Sequence, residues 1–472
     1  MSRHDAVARA AAHFDDGSFL AALQDAVGLP TESQAPGQVP ALTAYLTDFI
    51  EPAIARLGFT SRLLDNPNGI HGPFLIAERH EGDDLPTVLI YGHGDTVRNY
   101  PEQWREGLHP LRVVVEGERW YGRGTADNKG QHVINLGALE AVMRARGGSL
   151  GFNAKLLIEM GEESGSPGLR EVCRAEAAAL KADVLIASDG PRVKAERPTV
   201  FLGSRGGYNF ELVVDLREGG HHSGNWGGLL RNPGTVLASA IASLVDGRGR
   251  ILVDALRPPP IPDGVRAALS DITVGEDPNA PAIDADWGEP GLSPAERVFG
   301  WNALEVLAFK CGDPEGPLNA VPPSAKATLQ LRFVVGTDWQ NLLPAIRAHL
   351  DAQGFPMVAV RPCRTEVFRA TRLPVEDPWV SWALGSIETT TGKRPALLPN
   401  LGGSLPNDAF SEILGLPTLW VPHSYPACSQ HAPDEHLLGP STREALALMA
   451  GLFWDLGETG PAVIARRASR NA

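Results

Sequence analysis

Thr87-Val88-Leu89-Ile90-Tyr91-Gly92-His93-Gly94-Asp95 is the stretch that decides how this chain is read. An uncharged β-favouring run stops at a histidine set between glycines, the pattern of a strand buried on both faces with polar groups at its carboxyl end. The same arrangement recurs twice. Lys155-Leu156-Leu157-Ile158-Glu159-Met160 leads into Gly161-Glu162-Glu163, and Asp183-Val184-Leu185-Ile186-Ala187 leads into Ser188-Asp189. Between these runs Val133, Leu136, Leu139 and Met143 recur at helical spacing, which predicts a helix over 130–146. Strands alternating with helices indicate an α/β layer architecture, in which ligands bind beyond the carboxyl ends of the strands. The polar residues after the three runs are therefore expected to converge.

From about Asn209 the pattern changes. Phe210, Leu212 and Val214 alternate with Glu211, Val213 and Asp215, as in a strand with one face exposed. A Pro/Gly-rich stretch follows over 257–294, then a second alternating strand with Leu329, Leu331 and Phe333 on one face and Gln330 and Arg332 on the other. Helical periodicity returns after Thr371 around Trp382-Ala383-Leu384, and Pro417-Thr418-Leu419-Trp420-Val421 is a further β-run ahead of His431. The expected organisation is an α/β domain, a mixed sheet flanked by helices, built from residues 1–208 and 371–472, with an α+β domain inserted over 209–370.

A chain of 472 residues exceeds the usual size of one hydrophobic core, which agrees with two domains. With 43% hydrophobic and 21% charged residues it has the composition of an ordinary globular protein, and no run has the length of a membrane span. The first residues carry mixed charge and no apolar stretch of the secretory kind, so a cytoplasmic location is expected. Cys173, Cys311, Cys363 and Cys428 are widely spaced, which excludes a disulfide framework and a thiolate zinc site. A net charge of −14, spread along the chain, disfavours nucleic acid as a partner.

His93, Asp127, Glu163, Asp189 and His431 together supply what two neighbouring divalent cations need: a bridging oxygen ligand, further carboxylates and imidazoles. Asp127 lies in Gly122-Arg123-Gly124-Thr125-Ala126-Asp127-Asn128-Lys129-Gly130, a glycine-marked turn at a helix entrance, and is the best candidate for the bridge. Taken singly, each has an ordinary structural alternative, such as a helix cap for Asp127 or a turn former for Asp189. Asp95 follows His93 by two residues; in extended backbone both project to one side, so its carboxylate can orient the imidazole. Glu162 directly precedes Glu163, and in an extended segment the two side chains diverge, leaving Glu162 as the general base. Gly220-His221-His222-Ser223-Gly224-Asn225-Trp226-Gly227-Gly228 reads as a loop, from which His222 can stabilise an oxyanion or simply face solvent. Arg332 can hold a substrate carboxylate or be an exposed strand arginine. Gly403 and Ser404, in Gly402-Gly403-Ser404, offer donors to an anionic end or form an ordinary turn.

Jointly, these segments resemble the M20 family of metallopeptidases, aminoacylases and carnosine-type dipeptidases. The resemblance rests on Gly92 to Val97, Gly122 to Gly130, Glu162 to Ser166, Ser188-Asp189-Gly190, His222-Ser223-Gly224, Gly402-Gly403-Ser404 and His431-x-Pro433-x-Glu435. It implies a zinc-peptidase-like catalytic domain with an inserted lid that mediates homodimerisation. It also implies two divalent ions, zinc with manganese or cobalt as alternatives, joined by Asp127, with His93 and Asp189 on one and Glu163 and His431 on the other. His431 is preferred to His423 and His436 because it alone has the proline two residues on and the glutamate four on. The resemblance further implies that Asp95 orients the first histidine, that Glu162 is the base, that His222 reaches a partner subunit's site, and that Arg332 and Ser404 hold the substrate carboxylate. By this resemblance Asn319 stands where carnosine-type enzymes typically carry a threonine near the substrate, and Asn128 stands where an acidic residue is commoner. The full-length lid and the His222 loop point to a dipeptidase acting on a small substrate, without nucleic acid or membrane. A deacylase or carbamoylase of N-acyl amino acids is the alternative within hydrolysis, and a non-catalytic metal- or ligand-binding paralogue the alternative outside it.

Overall fold

The computed structural model describes residues 2–69, 71–276, 281–363 and 367–471; residues 277–280 of the Pro/Gly-rich stretch lie outside the described residues. Its largest sheet has eight strands among the described residues, in the spatial order Thr60–Leu64, Phe74–Arg79, Asn153–Glu159, Thr87–His93, Val184–Ala187, Thr418–Trp420, Thr199–Phe201 and Ala396–Leu398. The run that opened the reading is central. Thr87–His93 pairs in parallel with Asn153–Glu159 on one side and Val184–Ala187 on the other, and Val184–Ala187 pairs in parallel with Thr418–Trp420. Four neighbouring strands thus deliver their carboxyl ends to one edge.

Both faces of that sheet are covered, which is why Val88 to His93 are all buried. Val88 and Ile90 face one core, with the helices Arg3–Asp15, Lys129–Ala145 and Gly439–Asn471. Leu89 and Tyr91 face the other, with Leu169, Val172, Phe410 and Trp420. The helix predicted over 130–146 is Lys129–Ala145, and it packs on Thr87–His93 so that its first turn lies beside the strand's carboxyl end.

A second, antiparallel sheet has the order Ala303–Cys311, Ser324–Phe333, Gly206–Asp215, Val358–Pro362. The alternation read from sequence appears as burial: Phe210, Leu212, Val214, Leu329, Leu331 and Phe333 are buried against the helices Pro233–Leu244 and Leu342–Ala352. Not all of the stretch from 209 to 370 belongs to this core. Ile261, Val265, Leu269, Ile272 and Ala295 pack with Leu401, Leu405 and Phe410 under the larger sheet.

Two local expectations are corrected. Gly220 to Gly228 is not only loop: His221–His222 forms a short strand with Ala320–Val321, and Ser223–Trp226 makes one helical turn. Paired backbone from the neighbouring segment overrides the local glycine content. Glu162–Ser164 is a 3₁₀ turn rather than extended chain, closed by Gly165 at φ 95°.

Candidate metal centre and substrate pocket

His93, at the last position of its strand, places Nε2 3.0 Å from Asp127 Oδ1 and 3.6 Å from Asp189 Oδ2. His431 places Nε2 2.9 Å from Asp127 Oδ2 and 3.1 Å from Glu163 Oε2. Each oxygen of the Asp127 carboxylate therefore faces a different histidine. Two sets of donors result, His93 with Asp127 and Asp189, and Asp127 with Glu163 and His431, each within 4.8 Å of one another. The His431 backbone is turned inward at φ 61°, a left-handed conformation uncommon outside glycine.

The electrostatics match this geometry. Burial, reinforced by the Asp127 charge, pushes the Glu163 carboxyl up to about 7 and that of Asp189 up to about 6. Burial also raises Glu162 well above the carboxylate range, against the pull of His93. For Asp127 burial is outweighed by hydrogen bonds from His431 and His93, which hold it low. Hydrogen bonds to Asp127 and Glu163 push His431 up to about 11. Glu163 Oε1 and Asp189 Oδ2 are buried without a hydrogen-bond partner among the described residues. Crowded carboxylates with unpaired oxygens beside imidazole nitrogens are the donor set that divalent cations take, so the residues present fit a pair of such ions. An all-nitrogen-and-oxygen set suits zinc, manganese or cobalt.

The supports of these side chains come from far along the chain. The buried Asp95 carboxylate accepts from the backbone N–H of Glu162 and of Glu163, each at 3.1 Å, and lies 3.3 Å from His93 Nδ1. It thereby ties three members of the site together, two of them through the backbone. Glu435 Oε1 accepts from the N–H groups of Ala126 and Asp127 at 2.9 and 3.0 Å, while its Oε2 pairs with buried Arg123 at 2.8 Å. Asn128 Oδ1 accepts from the His93 N–H at 3.3 Å, and its amide donates to the Ser188 carbonyl at 2.7 Å, linking the segments of His93 and Asp189. Gln430 donates to Asp127 Oδ2. Sequence reasoning assigned no such roles to Glu435, Asn128 and Gln430; only the position of Glu435, four residues after His431, was a signal.

A cavity of about 590 Å³ opens from this cluster. Asp127, Glu162, Asp189 and His431 line it together with Arg332, Gly403 and Ser404 and with Asn209 and Gln330. Arg332 Nη1 donates to Ser404 Oγ at 2.6 Å, so the second sheet meets the larger domain across the pocket. His222 and Asn319 do not line this cavity. They sit together at the short two-stranded ladder of His221–His222 with Ala320–Val321, where the Asn319 carbonyl accepts from the N–H and hydroxyl of Ser223 at 2.9 and 3.0 Å, and His222 is exposed. His423 contacts Ser188 Oγ at 3.0 Å and His436 the Tyr425 hydroxyl at 2.6 Å; neither belongs to the two donor sets.

Residues 89–455 match the family described as peptidase family M20/M25/M40. The chain is 32% identical over 392 residues to a cysteinylglycine-S-conjugate dipeptidase of Corynebacterium striatum, covering 80% of this chain and 83% of the relative. It is 33% identical over 412 residues to the human Beta-Ala-His dipeptidase, covering 82% and 78%. Among solved structures, the M20 family metallo-carboxypeptidase Sso-CP2 from Sulfolobus solfataricus superposes with a TM-score of 0.78 at 26% identity, covering 93% of this chain and 99% of the other.

Proposed function

Because the chain belongs to peptidase family M20/M25/M40, we propose that it is a dinuclear metallodipeptidase that cuts the amide bond of dipeptides with water. The observation that carries this is the division of the Asp127 carboxylate between His93 and His431, at 3.0 and 2.9 Å, in a cavity that Arg332 also lines. The dipeptidase names of two relatives, which this chain matches over most of their length, support the substrate class.

His93 and Asp189 would hold one ion, Glu163 and His431 the other, with Asp127 shared; zinc is the proposed metal. When bound, the ions supply charge that lowers the pKa of a water and polarises the scissile carbonyl. Glu162 lines the cavity and is our general base: it takes the proton from the attacking water and returns it to the leaving amine nitrogen. Asp95 holds the Glu162 backbone so that the carboxylate meets the water at a fixed position. Arg332 and Ser404 would bind the free carboxylate, with Gly403 beside them.

We further propose a homodimer formed through the inserted domain, taken as 209–370. Its edge strand Ala303–Cys311 leaves Val306, Leu307 and Phe309 about half exposed, as an unpartnered strand edge does when a second copy covers it. His222 and Asn319, remote from their own pocket, would then serve the partner's, His222 stabilising the oxyanion. No helix among the described residues is long and apolar enough to cross a membrane, and the proposed location is cytoplasmic.

The test is Glu162→Ala in the metal-loaded enzyme on a dipeptide panel with N-acyl amino acids as controls. Metal content near that of the wild type and loss of most turnover are expected, of the order of 10²-fold or more for a general base. Wild-type turnover in the variant would remove Glu162 from that role. Cleavage of the N-acyl amino acids alone would make the enzyme a deacylase.

A further inference from the structure

The cavity wall beside Arg332 has a polarity that its hydrogen bonds determine. Arg332 Nε donates to Gln330 Oε1 at 3.0 Å. A guanidinium has donors only, so Gln330 must turn its oxygen towards Arg332 and its amide nitrogen away. That nitrogen donates at 2.8 Å to Oδ1 of Asn209, the cross-strand neighbour of Gln330. Asn209 is therefore left with its Nδ2 hydrogens, which have no partner among the described residues, on a side chain that lines the cavity. The chain Arg332 to Gln330 to Asn209 ends in donors.

The charge beside this wall points the same way. Arg332 and Arg205 form no ion pair within 4.0 Å among the described residues. Arg205 donates to the Gly402 carbonyl at 2.8 Å, and Ser404 Oγ, which receives Arg332, donates to the Arg205 carbonyl at 2.8 Å. Burial, and behind it the charge of Arg332, draw the Arg205 guanidinium down to about 10, so it is still charged at neutral pH; Glu305 opposes this at longer range. Arg205 does not line the cavity, so with Glu305 partly offsetting it, it adds positive potential beside Arg332 rather than a second contact for substrate. Space is kept beside them as well, since a Cβ at Gly207 would meet Ser404 Oγ at 3.1 Å and Arg332 Nη1 at 3.3 Å.

We propose that the pocket selects dipeptides whose carboxy-terminal residue carries a side-chain carboxylate, aspartate or glutamate, and that Asn209 is the specificity-determining residue that donates to it. This rests on the dipeptidase reading above. Phe299, Phe368, Leu401 and Leu405 also line the cavity and would favour an apolar residue instead, so the two preferences are opposed and measurable.

The experiment compares Ala-Asp, Ala-Glu and Ala-Leu with the metal-loaded wild type, then with Asn209→Leu and Asn209→Asp. The wild type should have kcat/KM for Ala-Asp or Ala-Glu at least about 10-fold above that for Ala-Leu, since a site built to hydrogen-bond a group discriminates against its absence. In Asn209→Leu that ratio should fall to about one, chiefly through KM, and in Asn209→Asp it should invert. Free aspartate should inhibit the wild type more strongly than free leucine, a measurement independent of how the variants fold. A wild type that prefers Ala-Leu, or an acidic preference untouched by Asn209→Leu, overturns the proposal while leaving the dipeptidase reading intact. Failure to cleave any dipeptide overturns both.

Discussion

Asp95→Asn tests how the site is held. The native carboxylate has two oxygens and three neighbours: the N–H groups of Glu162 and Glu163 at 3.1 Å each, and His93 Nδ1 at 3.3 Å. Asparagine offers one oxygen and one NH₂, so at least one backbone donor now faces another donor in a fully buried place. A lost hydrogen bond to a charged group is worth roughly 1.5–3 kcal/mol, which at about 1.4 kcal/mol per decade is about one to two powers of ten. The loss falls on His93 and on the turn carrying Glu162 and Glu163, so divalent-ion affinity should weaken by about 10- to 100-fold, the usual effect of removing a ligand's hydrogen-bond partner. At saturating metal kcat should also drop, because Glu162 is no longer held over the water. Chelator competition gives the affinity and steady-state kinetics the second effect. Affinity within about two-fold of wild type together with unchanged kcat would refute the role given to Asp95.

Glu435→Ala should cost about 3–5 kcal/mol in denaturant unfolding, because Arg123, itself 1% exposed, is left as an unpaired buried charge; a change below about 1 kcal/mol would mean the pair is not needed. Burial pushes the Glu159 carboxyl up to about 7, with Tyr91 donating to it at 2.7 Å, whereas an unfolded glutamate titrates near about 4.3. Between those values the native state holds a proton that the unfolded chain has lost, so metal-free stability should fall as pH rises through the window. Glu159→Gln should flatten that slope, and identical slopes in both proteins would show that Glu159 is not its source. Phe309→Asp on the exposed edge strand should shift sedimentation from dimer to monomer; a wild type that sediments as a monomer would remove the proposed dimer.

The central strands and their polar ends were legible because an uninterrupted apolar run between turn signals is a strong local pattern, and the larger domain depends on three of them. Phe210, Leu212 and Val214, like Leu329, Leu331 and Phe333, were legible for the same reason with a period of two. What escaped was non-local. Apart from its place four residues after His431, nothing announces that Glu435 clamps the Ala126 and Asp127 amides more than 300 positions earlier, since that contact exists only once the 418–420 strand lies beside 184–187. The Asn209–Gln330 pair depends on strand register, which sequence alone does not specify here. The Glu162–Ser164 turn carries no periodic signal, because adjacent glutamates have no period of their own and only the flanking Gly161 and Gly165 mark it. Ile261, Val265, Leu269 and Ile272 recur at helical spacing, but the run is short and set among prolines and glycines, so its burial under the larger sheet had only a weak local sign.

Metal stoichiometry tests the central claim, that the two oxygens of Asp127 join two cation sites. Counting zinc per chain after saturation and desalting should give two for the wild type, one for His431→Ala and fewer than one for Asp127→Asn, because only the last change touches both donor sets. Two ions retained in Asp127→Asn, or a wild type that binds a single ion regardless of His431, would contradict it.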